Sequence, residues 1–229
     1  MKHLKNFQLF ESKEEKLTKS QEMIISFKEK FGTELDPKFE VSQIKLIEKA
    51  FNFFDKKFIK NKIDKIILKD LHGVHGRWHD SGKRQEMTLN PSIFSFKKEF
   101  ENGVKDVPYK LFVLVHEIGH CIDHIERTSY SKEWQAISGW KKLDRRAKEP
   151  EGYVRYIEKR KGREIAGHRK SDWIHKEDAD FCRKYTSRNP REDFADSFAH
   201  GVFGLWDRFK GEGGKKKMEI IKKILKKVD

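Results

Sequence analysis

Two histidines and a glutamate stand together near the middle of the chain, in the sequence His116-Glu117-Ile118-Gly119-His120. On a helix, the two histidines project from the same face one turn apart, so both imidazoles can bind one metal ion. Glu117 is poorly placed to bind the same ion, but it can reach a water molecule at the metal and act as general base. The pattern therefore predicts a zinc site whose chemistry is hydrolysis.

The residues that precede this pattern favour a metal site over a chance match. An apolar run at residues 111–115 leads directly into His116, which predicts a helix buried on most of its faces. Buried polar groups need partners, and a divalent metal ion satisfies two imidazoles at once. The alternative is a pair of core histidines that hydrogen-bond to backbone groups or to carboxylates.

Zinc needs a third protein ligand and, for catalysis, a fourth position open to water. His124 continues the four-residue spacing, but on a straight helix it lies about 12 Å from His116 and is rotated by about 80°. A better candidate is Glu192, which shares a face with Asp196 on a helix that Pro190 is expected to begin. Asp196 can then accept the second ring N–H of a zinc histidine. The alternative is a cluster of carboxylates that caps this helix.

Together these residues resemble a known pattern. His-Glu-Ile-Gly-His with Glu192 and Asp196 downstream looks like the gluzincin pattern of thermolysin-like peptidases. More narrowly, it is similar to the lethal-factor-like branch, which comprises the catalytic domain of anthrax toxin lethal factor and its phage and bacterial relatives. That branch has a glycine before the second histidine, an acidic residue shortly after it, and a tyrosine seven residues before the glutamate ligand. Here these positions are Gly119, Asp123 and Tyr185.

The resemblance covers about residues 74–203 and implies a role for each matching residue. Glu117 would be the general base, and Tyr185 would donate a hydrogen bond to the oxyanion formed during hydrolysis. Asp196 and Asp123 would orient the side chains of the metal ligands without binding the metal themselves. The implied ligands of one Zn²⁺ ion are His116, His120 and Glu192.

The elements that must position these residues mix helices with short strands. Apolar residues near helical spacing predict helices within residues 1–60. Residues 63–68, 74–78 and 85–89 predict a small antiparallel meander, because each is short and bounded by turn signals. Pro108 is well placed to begin the helix that carries the two histidines.

The second half of the chain is less regular. Residues 125–184 combine a short helical pattern with a charged stretch that predicts a surface insertion. Glycines at 211, 213 and 214 predict a linker before a basic amphipathic helix at 215–228. With the resemblance, the expected fold class is α+β: a zincin-like metallopeptidase domain with a small antiparallel sheet, an active-site helix and flanking N- and C-terminal helices. The expected divisions are residues 1–60, 61–210 and 211–229.

The composition indicates the size of the core and the cellular compartment, but it says little about the chemistry. The 229 residues include 18 Phe and 5 Trp, enough for one domain with a sizeable core. Cys121 and Cys182 are too few for a disulfide framework and predict free thiols in a reducing compartment. Neither a signal peptide nor an apolar run of transmembrane length is visible, so we expect a cytoplasmic protein without a membrane partner. Non-classical export is the alternative.

These observations predict an enzyme that acts on a peptide or protein laid along an edge strand, for which residues 85–89 are the candidate. The net charge of +14 keeps a basic, nucleic-acid-associated metalloprotease as an alternative. A second alternative is a non-catalytic binding module with a structural zinc ion. In that case the tail from Lys215 would dock a partner, and His124 or Asp123 would supply a fourth protein ligand.

Overall fold

The computed structural model describes residues 17–72, 74–80, 84–95, 107–157, 159–160, 163–164 and 171–226. Its first half contains α1 (Lys19–Phe31), β1 (Glu34–Leu35), α2 (Val41–Phe51), α3 (Lys56–Ile59), β2 (Lys65–Leu68), β3 (Gly76–Asp80), β4 (Gln85–Leu89), α4 (Ser92–Ser95) and α5 (Tyr109–Glu126). Its second half contains α6 (Lys132–Ser138), β5 (Lys141–Lys142), β6 (Tyr153–Arg155), β7 (Lys159–Arg160), β8 (Arg163–Glu164), β9 (Trp173–Lys176), α7 (Pro190–Val202) and α8 (Gly211–Lys226). Short 3₁₀ helices span Thr128–Tyr130, Lys184–Arg188 and Trp206–Arg208.

Helices dominate the start of the described chain, as the periodicity predicts; residues 1–16 lie outside the described residues. α1 begins with a capping box, in which Thr18 and Gln21 each bond the other's backbone N–H. It ends at Gly32, whose φ of 71° suits a residue without a Cβ atom. Phe27 and Phe31 are buried on its inner face and join the main core.

The main sheet is mixed, so the predicted antiparallel meander is wrong. Its strand order is β1-β2-β4-β3, with β1, β2 and β4 parallel and only β3 antiparallel to β4. The side chains explain this order. Met87 and Leu89 on β4 are buried, which suits a strand paired on both sides. Arg77 and His79 on β3 are exposed, and charged side chains are typical of an edge strand.

The position of β4 also corrects the expected substrate edge. Residues 85–89 lie between β2 and β3, so their backbone groups are already paired within the sheet. At this side of the sheet the edge strand is β3, the strand packed against α5.

Two helices that carry the candidate site cross closely in the core. Pro108 is the N-cap of α5, and Asn189 caps α7 by accepting hydrogen bonds from the N–H groups of Arg191 and Glu192. The cap of α7 is thus an asparagine rather than a carboxylate. At the crossing, a Cβ atom on Gly119 would lie 3.1 Å from both Cα and O of Ala195. A glycine there lets the two backbones approach.

Residues 125–184 contain more regular structure than the predicted surface insertion. A three-stranded sheet has the order β5-β9-β6, and β7 and β8 pair as a two-stranded unit. Ile174 on β9 is buried, and the buried Arg155 on β6 donates to Glu149 and to the carbonyl groups of Ser171 and Asp144. The strands have two to four residues and carry many charges, so their sequence lacks a clear period-two signal.

The C-terminal helix belongs to the core, and the predicted glycine linker before it is wrong. α8 already includes Gly214, which packs so closely on Phe209 that a Cβ atom would lie 2.7 Å from the backbone carbon of that residue. Ile221 and Ile224 are buried, which fits the basic amphipathic pattern, while residues 227–229 lie outside the described part. Among the described residues, no helix combines the length and the apolar character needed to span a membrane.

Candidate metal centre

Three side chains from α5 and α7 converge at the bottom of a cleft. The ligand atoms of His116, His120 and Glu192 all lie within 4.8 Å of one another. Oε2 of Glu192 lies 3.2 Å from Nε2 of His116 and 3.4 Å from Nε2 of His120. The structure therefore brings together the three residues that the sequence singled out, although 72 positions separate His120 from Glu192.

The donor set fits a divalent cation. Oε2 of Glu192 lies close to both rings, but it is buried and makes no hydrogen bond. If Nδ1 of His116 donates to Asp196, its Nε2 presents a lone pair to the same oxygen. Two imidazole nitrogens and a carboxylate oxygen are ligands that Zn²⁺ prefers, with a further position left for water.

The protonation of these groups supports the same interpretation. Burial raises the pKa of Glu192, but His120 and His116 outweigh burial and hold it well below its usual range. Burial lowers the pKa of His116, but Asp196 and Glu192 outweigh burial and raise it to about 10. Glu192 is therefore ionised, which is the form in which a carboxylate binds a metal ion.

Asp196, which the spacing on α7 made a candidate partner of a zinc histidine, lies against His116. It is fully buried, and its Oδ1 lies 2.6 Å from Nδ1 of His116. Arg183 binds the same carboxylate through Nε and Nη2, the latter at 2.6 Å from Oδ1. Burial raises the pKa of Asp196, but Arg183 and His116 outweigh it and lower the pKa to about 2. Asp196 thus stays ionised and fixes the orientation of the imidazole.

Arg183 contacts the candidate centre and could not be found from the sequence pattern. Its guanidinium group lies over the rings of Phe112 and Tyr185, at 5.3 and 4.9 Å from their centroids. It thereby connects the carboxylate behind His116 to the predicted oxyanion donor. Arg183 belongs to an irregular stretch just before the 3₁₀ helix, so no periodic pattern marks it.

Glu117 lies beside the three converging side chains. Its Oε2 is buried without a hydrogen-bond partner, and burial is the largest cause that raises its pKa. Gly76 on β3 packs against it, because a Cβ atom there would lie 2.4 Å from Cδ and Oε1 of Glu117. Gly76 was not among the predicted site residues, although a glycine inside a strand can indicate close approach by another group.

Tyr185 lies next to the candidate centre on the 3₁₀ helix before α7. Its ring centroid is 6.3 Å from that of His116, and Nη1 of Arg188 donates to its hydroxyl at 3.4 Å. Burial is the main cause that raises the pKa of Tyr185, and Glu192 adds to it. The hydroxyl group therefore keeps its proton and is able to donate it in a hydrogen bond.

Asp123 and His124, the other two candidates from the sequence, make their contacts outside the cluster of His116, His120 and Glu192. Asp123 accepts hydrogen bonds from the backbone N–H and hydroxyl of Ser129, at 2.7 and 2.6 Å, and so fixes the turn after α5. It is not joined to a histidine of the centre by a hydrogen bond, and Nδ1 of His120 is buried without one. His124 packs near Trp78, with 6.4 Å between ring centroids, and lies outside the three-residue cluster.

The centre opens into a cleft of about 710 Å³. Its lining includes residues 74–78, which contain the first part of β3, and six of the residues between 183 and 192, before and within α7. His116, Glu117 and His120 of α5 form part of its lining. The cleft therefore gives a substrate access to the base, the candidate metal ligands and Tyr185 at once.

Comparison with known proteins yields one structural similarity. No protein family model matches the chain, and no curated protein matches it. The crystal structure of a candidate zinc-binding metallo-peptidase from Bacteroides caccae is similar, with a TM-score of 0.47 and 14% sequence identity. The similarity covers 93% of this chain and 86% of that one.

Proposed function

We propose that this protein is a zinc-dependent endopeptidase. The observation that carries the proposal is the convergence of His116, His120 and Glu192 within 4.8 Å, beside the buried carboxyl group of Glu117. Two imidazoles and one carboxylate leave a coordination position for water, which is the arrangement of a catalytic rather than a structural zinc site. The gluzincin and lethal-factor-like resemblance of the sequence agrees with this ligand set.

Each remaining residue has a defined task in peptide hydrolysis. When bound, zinc supplies Lewis-acid polarisation of the scissile carbonyl and lowers the pKa of a coordinated water molecule. Glu117 accepts a proton from the attacking water and passes it to the leaving amine. Tyr185 donates its O–H to the oxyanion of the tetrahedral intermediate. Asp196 and Arg183 hold His116 and the ring of Tyr185 in place.

The substrate would lie extended along β3 rather than along β4. β3 is an edge strand, and it borders the cleft where Gly76 contacts Glu117. An extended peptide can add to such an edge through main-chain hydrogen bonds, which do not depend on the side chains of the peptide. This placement would bring a peptide bond past Glu117 and the candidate metal.

The alternative of a structural zinc ion in a binding module has less support. A structural site is normally closed by four protein ligands. Within the described part of the chain, the metal-binding cluster contains three residues, and Asp123 is held by Ser129. The apolar face of α8 packs on the core, so this helix does not offer it for docking a partner.

Replacing Glu117 by Gln tests the mechanism. The variant removes the base but no proposed ligand, so we expect unchanged zinc content and hydrolysis reduced by about 10²–10⁴-fold. Zinc is measured by elemental analysis, and hydrolysis by mass spectrometry of peptides released from an unfolded protein substrate. Glu133→Gln, at an exposed position of α6, is the matched control. Full activity of Glu117→Gln would rule out this mechanism.

A further inference from the structure

The cleft beside the candidate metal centre is lined by more arginines than carboxylates. Among the described residues that line it, only Glu117 and Glu192 carry carboxylates, and Glu192 is assigned to the metal. The arginines that line it are Arg77, Arg183, Arg188 and Arg191.

These arginines differ in how far the protein neutralises them. Arg183 is bound by the carboxylate of Asp196. No salt bridge joins Arg77 or Arg191 to a carboxylate within the part of the chain that the structure describes. Burial raises the pKa of Glu117 and Asp123, however, and the charge of Arg191 opposes that rise. Arg188 contacts the hydroxyl group of Tyr185. Positive charge in a partly enclosed cleft attracts anionic partners and raises their local concentration.

The arginines come from two segments of the chain that line the cleft. Arg188 and Arg191 flank the beginning of α7, one next to Tyr185 and the other directly before Glu192. Arg77 follows Gly76 on the edge strand β3. A peptide along β3 would therefore lie in the same cleft as these cationic groups and the proposed base.

We propose that the protein selects peptides with aspartate or glutamate near the scissile bond. This inference deepens the proposed function and rests on it. A nucleic acid would also suit a cationic cleft, but the edge strand and its contact with the base favour an extended peptide backbone. Guanidinium groups pair with carboxylates through two hydrogen bonds, which gives geometric selectivity as well as attraction.

Cleavage of a defined pair of peptides tests the selectivity. The zinc-loaded protein first digests a mixed peptide library, and sequencing of the products identifies the positions around the cut. Two fluorogenic peptides are then compared that differ only by glutamate or glutamine at those positions. We expect kcat/KM to be about tenfold higher for the glutamate peptide, and this advantage to shrink as salt is added.

Charge reversal locates the effect in the cleft. Arg188→Glu and Arg191→Glu should abolish or invert the glutamate-to-glutamine ratio of kcat/KM, whatever they do to the absolute rate. Arg146→Glu is the matched control, because Arg146 is exposed and does not line the cleft. A ratio that stays at its wild-type value in both cleft variants would overturn the inference.

Binding separates this inference from the proposed function. Two fluorescent peptides of one fixed sequence, which differ only by glutamate or glutamine at their central positions and whose design needs no cleavage data, are titrated into the zinc-loaded Glu117→Gln variant, in which Kd is measured without turnover. Tighter binding of the glutamate peptide supports the inference even if no peptide is cleaved, a result that would contradict only the proposed function. Equal binding contradicts the inference, as does displacement by single-stranded DNA without any preference between the two peptides.

Discussion

Glu117 is held in place by packing rather than by hydrogen bonds to its Oε2 atom. Its carboxyl group fills the space that a side chain on residue 76 would occupy. Gly76 lies on β3 and Glu117 on α5, so the position of the proposed base depends on how the edge strand packs against the helix. Small displacements of a catalytic group have large effects on rate, because the reacting atoms must stay aligned.

Gly76→Ala is expected to impair catalysis while leaving the metal in place. Its Cβ atom would lie 2.4 Å from Cδ of Glu117, so the carboxyl group must move. We expect kcat to fall by about 10–100-fold with zinc content unchanged. His79→Ala on the same strand, where the side chain is exposed, controls for disturbance of the sheet. A Gly76→Ala enzyme with the wild-type kcat would show that the base is not positioned by this contact.

The sequence was informative about the candidate ligand residues and much less so about the residues that contact them. Four-residue spacing on a helix is local, so it marks His116 with His120 and Glu192 with Asp196. The role of Arg183 or Gly76 depends on contacts with residues far away in the chain, which no local pattern encodes. Asp123 matched the resemblance in sequence, but its carboxylate binds Ser129.

At the scale of elements, the site depends on the crossing of α5 and α7. Both helices could be predicted, since an apolar run, a proline at one start and an Asn-Pro pair at the other mark them clearly. The order of the strands could not, because pairing between β2 and β4 joins segments that are separated by β3. Strand order follows from burial of Met87 and Leu89 in the assembled core.

Gly119→Ala should weaken zinc binding by moving one helix away from the other. The new Cβ atom would lie 3.1 Å from Cα and O of Ala195, and backbone atoms cannot rotate away as a side chain can. We expect a loss of about 1–3 kcal/mol in the free energy of unfolding and weaker zinc affinity. Chemical denaturation and titration with a competing chelator measure the two effects. Wild-type values for both would mean that the crossing tolerates a methyl group.

At the scale of the whole molecule, a buried ion pair joins α8 to the helix that carries Glu192. Nζ of Lys217 donates to Asp193 at 2.9 Å and to the carbonyl oxygen of Asp180 at 2.7 Å, and the Lys217 side chain is nearly inaccessible. Nε1 of Trp140 also donates to Asp193. The basic helix α8 thus contributes one of its lysines to the core, where it binds the residue that follows Glu192 in the chain.

Lys217→Met is expected to destabilise the fold by about 3 kcal/mol, because it leaves the buried carboxylate of Asp193 without its ion-pair partner. Lys216→Met is the matched control, since Lys216 precedes it on the same helix and is exposed. Thermal and urea denaturation of both variants measure the difference. Equal stability of the two variants would contradict a role for the ion pair in the fold.

The measurement that tests the central claim most directly is the zinc content of Glu192→Ala beside wild type. Glu192 joins the two histidines across 72 residues of chain, and removing its carboxylate should lower zinc affinity by at least about 100-fold. Equilibrium dialysis against a buffered zinc series gives the affinity, with Glu133→Ala as the control and circular dichroism to verify folding. Unchanged zinc affinity in a folded Glu192→Ala protein would contradict the assignment of the metal centre.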